Sequence, residues 1–318
     1  GIIDGSLTNT ASSTIKSFNT GSITGSITNS GSIQTLNVND TIAGITNRQT
    51  IDSLKVDSSI TNGITNDSTI TTLTNNQANT NITNNQNIGT LDIKANTTYA
   101  GNGSITNALN VTGNTTQFTI NNGAGNTLTL TNTAGANSVK TITNDGTIIG
   151  NLINDLTRTD WTFGVLQGNF TNNGELIALT DTGSITGILT NESSGIINTL
   201  NTSKVGGSIA NNGNLVNLIV DSNKTITGSG SITNSLVVEK NNGGNGYTLT
   251  IGSGGTGNLN FKATNGTIDN AGTINGNITN VSGSTIADFT NSGNMVGNIT
   301  NSAGSTITIF ENIGTITG

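Results

Sequence analysis

The amino-acid sequence predicts an all-β protein, a parallel β-helix (β-solenoid) with coils of about 20 residues. Three observations support this fold class. A short motif, Ile-Thr-Asn followed by a glycine and a second aliphatic residue, recurs along the chain. Aliphatic and polar residues alternate between the turns, and the chain has 43 glycines and no proline. A repeat of this length is typical of a solenoid, in which each repeat buries its apolar face only against its neighbours.

The spacing of the motif sets the size of the coil. Clear copies occupy residues 27–33, 142–148, 170–176 and 268–274. Most gaps between successive copies are 18 to 23 residues, and gaps of 37 and 46 are close to two periods. The gaps are counted between these first residues: Leu7, Ile27, Ile45, Ile64, Ile82, Ile105, Ile142, Phe170, Leu189, Ile209, Ile232, Ile278 and Ile299.

Each repeat is predicted to consist of strand, tight turn and strand. Segments 127–131 (TLTLT) and 247–251 (YTLTI) alternate with period two, as half-buried strands do. A helix would instead place apolar residues three and four apart and would avoid glycine. The Asn-x-Gly step supplies the bend, since both residues tolerate positive φ. Alternation places Ile142 inside the solenoid and Thr143 outside.

Stacking of the coils predicts columns of like residues. We expect one outward threonine column and one asparagine column at a corner, whose amides bond along the stack. These columns would contain Thr28, Thr46, Thr65, Thr83 and Thr106, and Asn29, Asn47, Asn66, Asn84 and Asn107. A second apolar pair follows many turns and is predicted to point inward on the next face. The pairs are Ile33 and Leu36, Ile70 and Leu73, Ile88 and Leu91, Leu176 and Leu179, and Leu215 and Leu218.

The C-terminal part shows a finer unit. Copies beginning at Ile268, Ile278, Phe289 and Ile299 are separated by 10, 11 and 10 residues. Two such half-units would form one coil.

The chain is predicted to form a single continuous solenoid over residues 1–318. Irregular coils are expected near 108–141 and 235–267, where no clear copy of the motif occurs. Segment 155–169 interrupts the rhythm and is predicted to be a loop insertion. Loops on repeat scaffolds often carry contacts, so the predicted binding residues are Arg158, Asp160, Trp161 and Phe163. In the alternative, Trp161 and Phe163 fill the solenoid interior.

Composition excludes several chemistries. The chain has no His and no Cys, which removes serine–histidine, cysteine–histidine and thiolate–zinc sites as well as disulfides. The acidic residues do not recur at one coil position, so we read them as solubilising charges. We therefore predict no enzyme, no catalytic residue, no cofactor and no metal site. Residues 243–249 resemble a calcium β-roll unit, but Thr248 stands where that unit needs Asp.

Charge and hydropathy limit the partners. Ten Lys+Arg against 17 Asp+Glu give a net charge of −7 and no basic stripe, so nucleic acid is not an expected partner. The longest apolar runs, such as 218–220, are far shorter than the ~20 residues that a spanning helix needs, so no membrane span is expected in this segment.

The motif Ile-Thr-Asn-x-Gly-x-Ile, as in 142–148 and 299–307, resembles passenger domains of bacterial autotransporters. It is especially similar to the Asn/Thr/Gly-rich repeats of the vacuolating-cytotoxin-like and adhesin-like branches, and segment 247–261 has the same character. The likeness covers nearly the whole chain. It implies a right-handed parallel β-helix that is secreted through the outer membrane to the extracellular bacterial surface. The protease branch of the family is not expected, since no histidine is present.

These observations predict an extracellular structural or adhesive solenoid that acts as a fibre, stalk or self-associating adhesin. Its expected partners are itself, laterally or end to end, and a host or neighbouring-cell surface. One alternative is a fragment of a vacuolating-cytotoxin-like pore-forming toxin, and another is a polysaccharide-binding or polysaccharide-active β-helix. The repeat already runs at Leu7 and another motif begins at Ile316, without a polar or helical cap. We expect the chain to continue into further coils or to stack end to end.

Overall fold

The computed structural model is all-β, with parallel strands stacked in coils of about 19 residues. The structure describes residues 2–113, 116–121, 127–131, 140–155, 159–162, 164–179, 183–240 and 246–318. The predicted fold class, a β-solenoid, is confirmed. Within the described residues the only helical elements are two 3-10 turns, Thr202–Lys204 and Ser253–Gly255. Two compact units, 1–168 and 169–318, divide the chain.

The strands of the first unit form two sets that alternate along the chain. The first set is Ile2–Ile3, Leu7–Asn9, Ser22–Asn29, Ile42–Asn47, Ile64–Asn66, Thr80–Asn84, Thr97–Ala100, Gln117–Ile120, Thr147–Ile149 and Val165–Gln167. The second set is Thr14–Thr20, Ser32–Val38, Thr50–Val56, Thr69–Asn75, Asn87–Ile93, Ser104–Val111, Thr127–Thr131, Lys140–Asn144, Asn151–Asp155 and Thr159–Thr162.

The second unit follows the same plan of short parallel strands. Its described strands are Phe170–Asn172, Glu175–Leu179, Ser184–Ile185, Leu189–Asn191, Ile196–Asn201, Ile209–Asn211, Asn214–Val220, Lys224–Thr227, Ser231–Val238, Thr248–Ile251, Asn258–Phe261, Gly266–Asn270, Thr273–Asn275, Asn277–Asn280, Thr285–Asn291, Asn294–Val296, Ile299–Asn301, Thr306–Asn312 and Thr315–Thr317.

The long strands of the second set bend around a corner of the coil. In Ser32–Val38, the side chains of Ile33, Leu36 and Val38 are buried, whereas Gln34 and Thr35 both point outward. Two consecutive outward residues break the period-two alternation, and this break turns the chain from one face to the next. The predicted inward apolar pairs three residues apart are confirmed, since every member of the five pairs is buried.

Successive coils stack like residue on like residue. Ile27 pairs with Ile45, Ile45 with Ile64, and Ile64 with Ile82. On the next face Leu36, Leu54, Leu73 and Leu91 continue in the same way. Each coil therefore buries its aliphatic residues against the same residues of its neighbours, which supplies the burial that a single coil lacks.

Two copies of the motif lie on a different face from the one the sequence suggested. Ile105 pairs with Ile88 rather than stacking on Ile82, and Ile232 pairs with Leu215 rather than stacking on Ile209. The prediction that Thr106 and Asn107 continue the threonine and asparagine columns was therefore wrong, since Tyr99 follows Ile82 in that column. The two gaps of 23 residues both arise from this change of face.

The finer C-terminal unit is confirmed as two half-units per coil. Ile268 pairs with Phe289, and Ile278 pairs with Ile299. The four copies thus form two separate columns, each with a step of 21 residues.

Alternation within the motif is confirmed at residues 142–144, where Ile142 and Asn144 are buried and Thr143 is partly exposed. Ile142→Asp would bury an unpaired carboxylate and should lower the free energy of unfolding by about 3–5 kcal/mol. Thr143→Asp should change it by less than about 1 kcal/mol. Urea unfolding followed by circular dichroism compares the two variants. Equal losses would show that the two side chains do not face opposite sides.

Candidate functional site

A ladder of buried asparagines runs through the first unit. Its side chains are at most 3% exposed. Each Nδ2 donates to the Oδ1 of the asparagine one coil further along the chain, at 2.7–2.8 Å. The members are Asn9, Asn29, Asn47, Asn66 and Asn84. The predicted hydrogen bonding of asparagines along the stack is confirmed.

The ladder also fastens the turn that follows each asparagine. The Nδ2 of Asn29 donates to the carbonyl of Thr50 at 3.2 Å, and that of Asn47 donates to the carbonyl of Thr69 at 3.1 Å. Both amide protons are then used, and Oδ1 accepts from the preceding coil. A buried amide left unpaired would cost about 1–3 kcal/mol. Asparagine thus suits this position because it supplies donor and acceptor at once on a short side chain.

Tyr99 ends the ladder of the first unit. It occupies the isoleucine position of its coil, in register with Ile82. The chain places Gly101 where the next asparagine would stand, and the Tyr99 hydroxyl accepts from Asn84 Nδ2 at 2.8 Å. The same hydroxyl donates to the carbonyl of Gly103 at 3.0 Å. Burial raises the pKa of Tyr99 well above its ordinary value near 10, which keeps the donated proton in place.

Sequence reasoning missed the role of Tyr99. The available signal was a tyrosine in place of isoleucine in the same coil that has glycine in place of asparagine.

The second unit carries three shorter ladders with the same polarity. Their donor-to-acceptor distances are 2.7–2.9 Å, from Asn172 through Asn191 to Asn211, from Asn270 through Asn291 to Asn312, and from Asn280 to Asn301. The first of these stops differently from the ladder at Tyr99. Asn211 Nδ2 is buried without a hydrogen-bond partner, since the next coil places Ile226, which has no hydroxyl, in the column of Ile209.

The outer faces are built mainly from short neutral side chains. Thr28, Thr46, Thr65 and Thr83 form an in-register, partly exposed column.

Outer carboxylates join the stack by accepting from an asparagine one coil on. Asp67 accepts from Asn85 at 2.7 Å, and Asp92 accepts from Asn110 at 2.5 Å. Hydrogen bonds from Lys55 and Asn76 lower the pKa of Asp57 below its ordinary value.

Lys224 is a cation placed in an inward column. Its register partner in the next coil is the fully buried Leu249. Its Nζ donates to the carbonyl of Val205 and, at 3.2 Å, to that of Gly207. Burial lowers the pKa of the Lys224 ammonium, and the nearby Asp221 opposes that shift. This lysine satisfies main-chain carbonyls of the preceding coil and is fixed by them, so its position is structural.

The predicted binding residues fall at the edge of the described chain. Arg158 and Phe163 lie outside the described residues. Asp160 and Trp161 belong to the strand Thr159–Thr162, which pairs with Lys140–Asn144 and sets Trp161 opposite Ile142. Segment 155–169 thus contains a strand in register with the stack, and its role in binding stays a prediction.

The described part of the chain holds no group of three or more Asp, Glu, His or Cys residues that could bind a metal ion. No helix within it is long and apolar enough to cross a membrane. Comparison of the chain with protein-family models, with curated proteins and with solved structures found no match. Inference about function therefore rests on the ladders, the outer faces and the exposed face of the last coil.

Asn47→Asp tests whether the ladder sets stability. The carboxylate would face two acceptors, Asn66 Oδ1 and the Thr69 carbonyl, so burial and repulsion should raise its pKa. A carboxyl whose folded pKa exceeds its unfolded value is least harmful below pH ~4, where both states are protonated. The loss should grow to about 2–4 kcal/mol as the pH rises to 7. Urea unfolding at several pH values measures it.

The matched control is Asn37→Asp on the outer side of the same stack, where Asn37 donates only to Asn19. It should show a pH-dependent loss of less than about 1 kcal/mol. A loss for Asn47→Asp that does not change with pH would contradict the buried ladder.

Tyr99→Phe removes the hydroxyl that ends the ladder. Asn84 Nδ2 loses its shortest contact and the Gly103 carbonyl loses its donor, while the ring still fills the core. We expect the free energy of unfolding to fall by about 1–2 kcal/mol. Chemical denaturation measures this, with Tyr247→Phe, a partly exposed tyrosine, as the control. An unchanged stability would mean that the hydroxyl does not close the ladder.

Proposed function

We propose that this chain is a structural or adhesive solenoid of a bacterial cell surface, acting outside the cell as a fibre, stalk or self-associating adhesin. The observation that carries the proposal is the in-register stacking of coils around buried asparagine ladders. Such a stack resists local opening, because displacing one coil leaves amides unpaired in both of its neighbours. This suits a part whose work is to hold surfaces in place.

The outer chemistry supports the same role. Neutral threonine and asparagine side chains repeat at each coil and offer many weak hydrogen-bonding contacts. Repeated weak contacts sum to strong attachment when many engage together. The absence of cysteine from the sequence leaves no thiol to oxidise outside the cell. The resemblance of the Ile-Thr-Asn repeats to autotransporter passenger domains supports the bacterial surface as the location.

Beads coated with the purified chain test the proposal. We expect coated beads to cluster with one another or to attach to cells. Beads carrying Thr143→Asp should behave in the same way, whereas beads carrying the destabilised Ile142→Asp should not. Dispersed beads that bind no cells would contradict an adhesive role.

Two further assays separate the alternatives. Release of dye from liposomes by the purified chain would favour a pore-forming toxin. New reducing ends in a polysaccharide mixture would favour a polysaccharide-active enzyme. We expect neither.

A further inference from the structure

We propose that the exposed face of coil 297–312 is a docking surface for a second copy of this chain, whose first coil, residues 5–20, stacks on it head to tail. This inference rests on the self-association included in the proposed function, and it specifies the surface, the partner and the direction.

The proposed surface consists of core residues that lack a cover. Phe310 is 47% exposed, whereas Phe289, its equivalent one coil earlier, is fully buried, and the two ring centroids are 5.0 Å apart. Ile286 is likewise buried, while its successor Ile307 is only partly buried. These side chains occupy inward columns, so the coil that fits over them must bring matching inward residues.

The first coil of the same chain has the matching sequence. Segment 5–18 (GSLTNTASSTIKSF) is identical to segment 297–310 (GNITNSAGSTITIF) at eight of 14 positions. The identical positions include the ladder asparagine, Asn9 and Asn301, and the core aromatic, Phe18 and Phe310. They also include the core isoleucine at the corner, Ile15 in the first coil.

The backbone of the two coils matches as well. Gly5 and Gly297 have φ values of 139° and 142°. In the following turn Ser12 has φ 65° and Gly304 has φ 75°, and few residues other than glycine adopt such a value.

The turns close with equivalent hydrogen bonds. The Ser13 amide donates to the Thr10 carbonyl at 3.1 Å, and the Ser305 amide donates to the Ser302 carbonyl at 3.0 Å. Coil 276–291 has the same turn and already carries coil 297–312 in register. A coil of the shape of 5–20 therefore fits on 297–312 by the contacts that the chain itself uses.

The polarity of the ladders sets the direction. Asn280 Nδ2 donates forward to Asn301 Oδ1, and Asn301 Nδ2 bonds only to the Ser305 carbonyl of its own turn, at 3.3 Å. One of its amide protons is left to donate to a following coil. At the other end, Asn9 Oδ1 accepts no hydrogen bond from the described residues. Head-to-tail stacking joins this donor to this acceptor, whereas joining two C-terminal faces would oppose two donors.

The strand Ile2–Ile3 has to move aside in such a stack. Ile3 pairs with Ile23 through a two-residue strand, and Ile2 is 75% exposed. By the period of 21 residues, strand Thr315–Thr317 of the first copy reaches the level that Ile2–Ile3 occupies in the second. Replacing so short a pairing requires little rearrangement, and the incoming strand restores its hydrogen bonds.

Disulfide cross-linking tests the arrangement, because the chain has no cysteine of its own. Thr300 pairs with Thr279 in register, so in the proposed stack Thr300 of one copy would lie opposite Thr8 of the next. Both threonines are exposed. Neighbouring strands place such residues ~4.8 Å apart, within the Cα separation that a disulfide allows. Thr8→Cys and Thr300→Cys combined in one chain should give a series of linked multimers on a non-reducing gel.

The single-cysteine variants and a pair of lysine substitutions are the controls. Either cysteine alone should leave the chain unlinked, and a dimer formed by Thr300→Cys alone would overturn the head-to-tail direction. Adding Phe310→Lys to the double-cysteine chain should cut multimer formation at least tenfold. Ile309→Lys, on the outward side of the same strand and 54% exposed, should leave it unchanged. Circular dichroism checks that each variant is folded.

The outcomes separate this inference from the proposed function. A double-cysteine chain that remains monomeric at high concentration would overturn the docking surface. So would equal effects of the two lysine variants. If beads carrying Phe310→Lys still cluster, adhesion proceeds through other faces and the proposed function stands without this interface. If the cross-links form but beads neither cluster nor bind cells, the interface stands and the adhesive role fails.

Discussion

Pairing of buried asparagine amides between successive coils is the constraint on which the rest of this structure depends. An aliphatic column tolerates small shifts, because burial of apolar surface has no direction. An amide inside the solenoid does not, since a shift of one residue along the strand would set Asn47 opposite Thr65 instead of Asn66 and leave donor and acceptor unpaired. The ladders therefore fix the register, and the register places every isoleucine and leucine above its equivalent.

The points where a ladder stops show how the chain manages this constraint. Both change-of-face copies of the motif follow a Gly-x-Gly-Ser step, at residues 101–104 and 228–231. Glycine takes the asparagine position there, and Gly101 and Gly228 both adopt positive φ. The motif then reappears on the next face, where Asn107 and Asn234 are exposed and bond to the preceding coil from outside. The same letters thus serve as an inner ladder in one context and an outer contact in the other.

This double use explains what sequence reasoning predicts here and what it does not. The period, the strand alternation and the inward pairs such as Ile33 and Leu36 follow from composition and spacing, because burial on one face forces them. The face of a given copy does not follow from its own residues. Ile105 differs from Ile82 only in lying 17 residues after Ile88, a step that matches the neighbouring coils on its face. The hydroxyl of Tyr99 was missed for a related reason, since its partner is a vacated column position rather than a motif.

The same physics explains why no compact site stands out in the sequence. A catalytic centre needs several different groups held at one place, and a repeat instead brings identical groups to equivalent places. Its outer chemistry is therefore shared along the stack. A contact worth a fraction of a kcal/mol at one threonine recurs at the next coil ~4.8 Å away, and a partner with a regular surface engages many at once. Attachment through such a surface depends on the regularity of the coils, and that regularity is what the buried amides enforce.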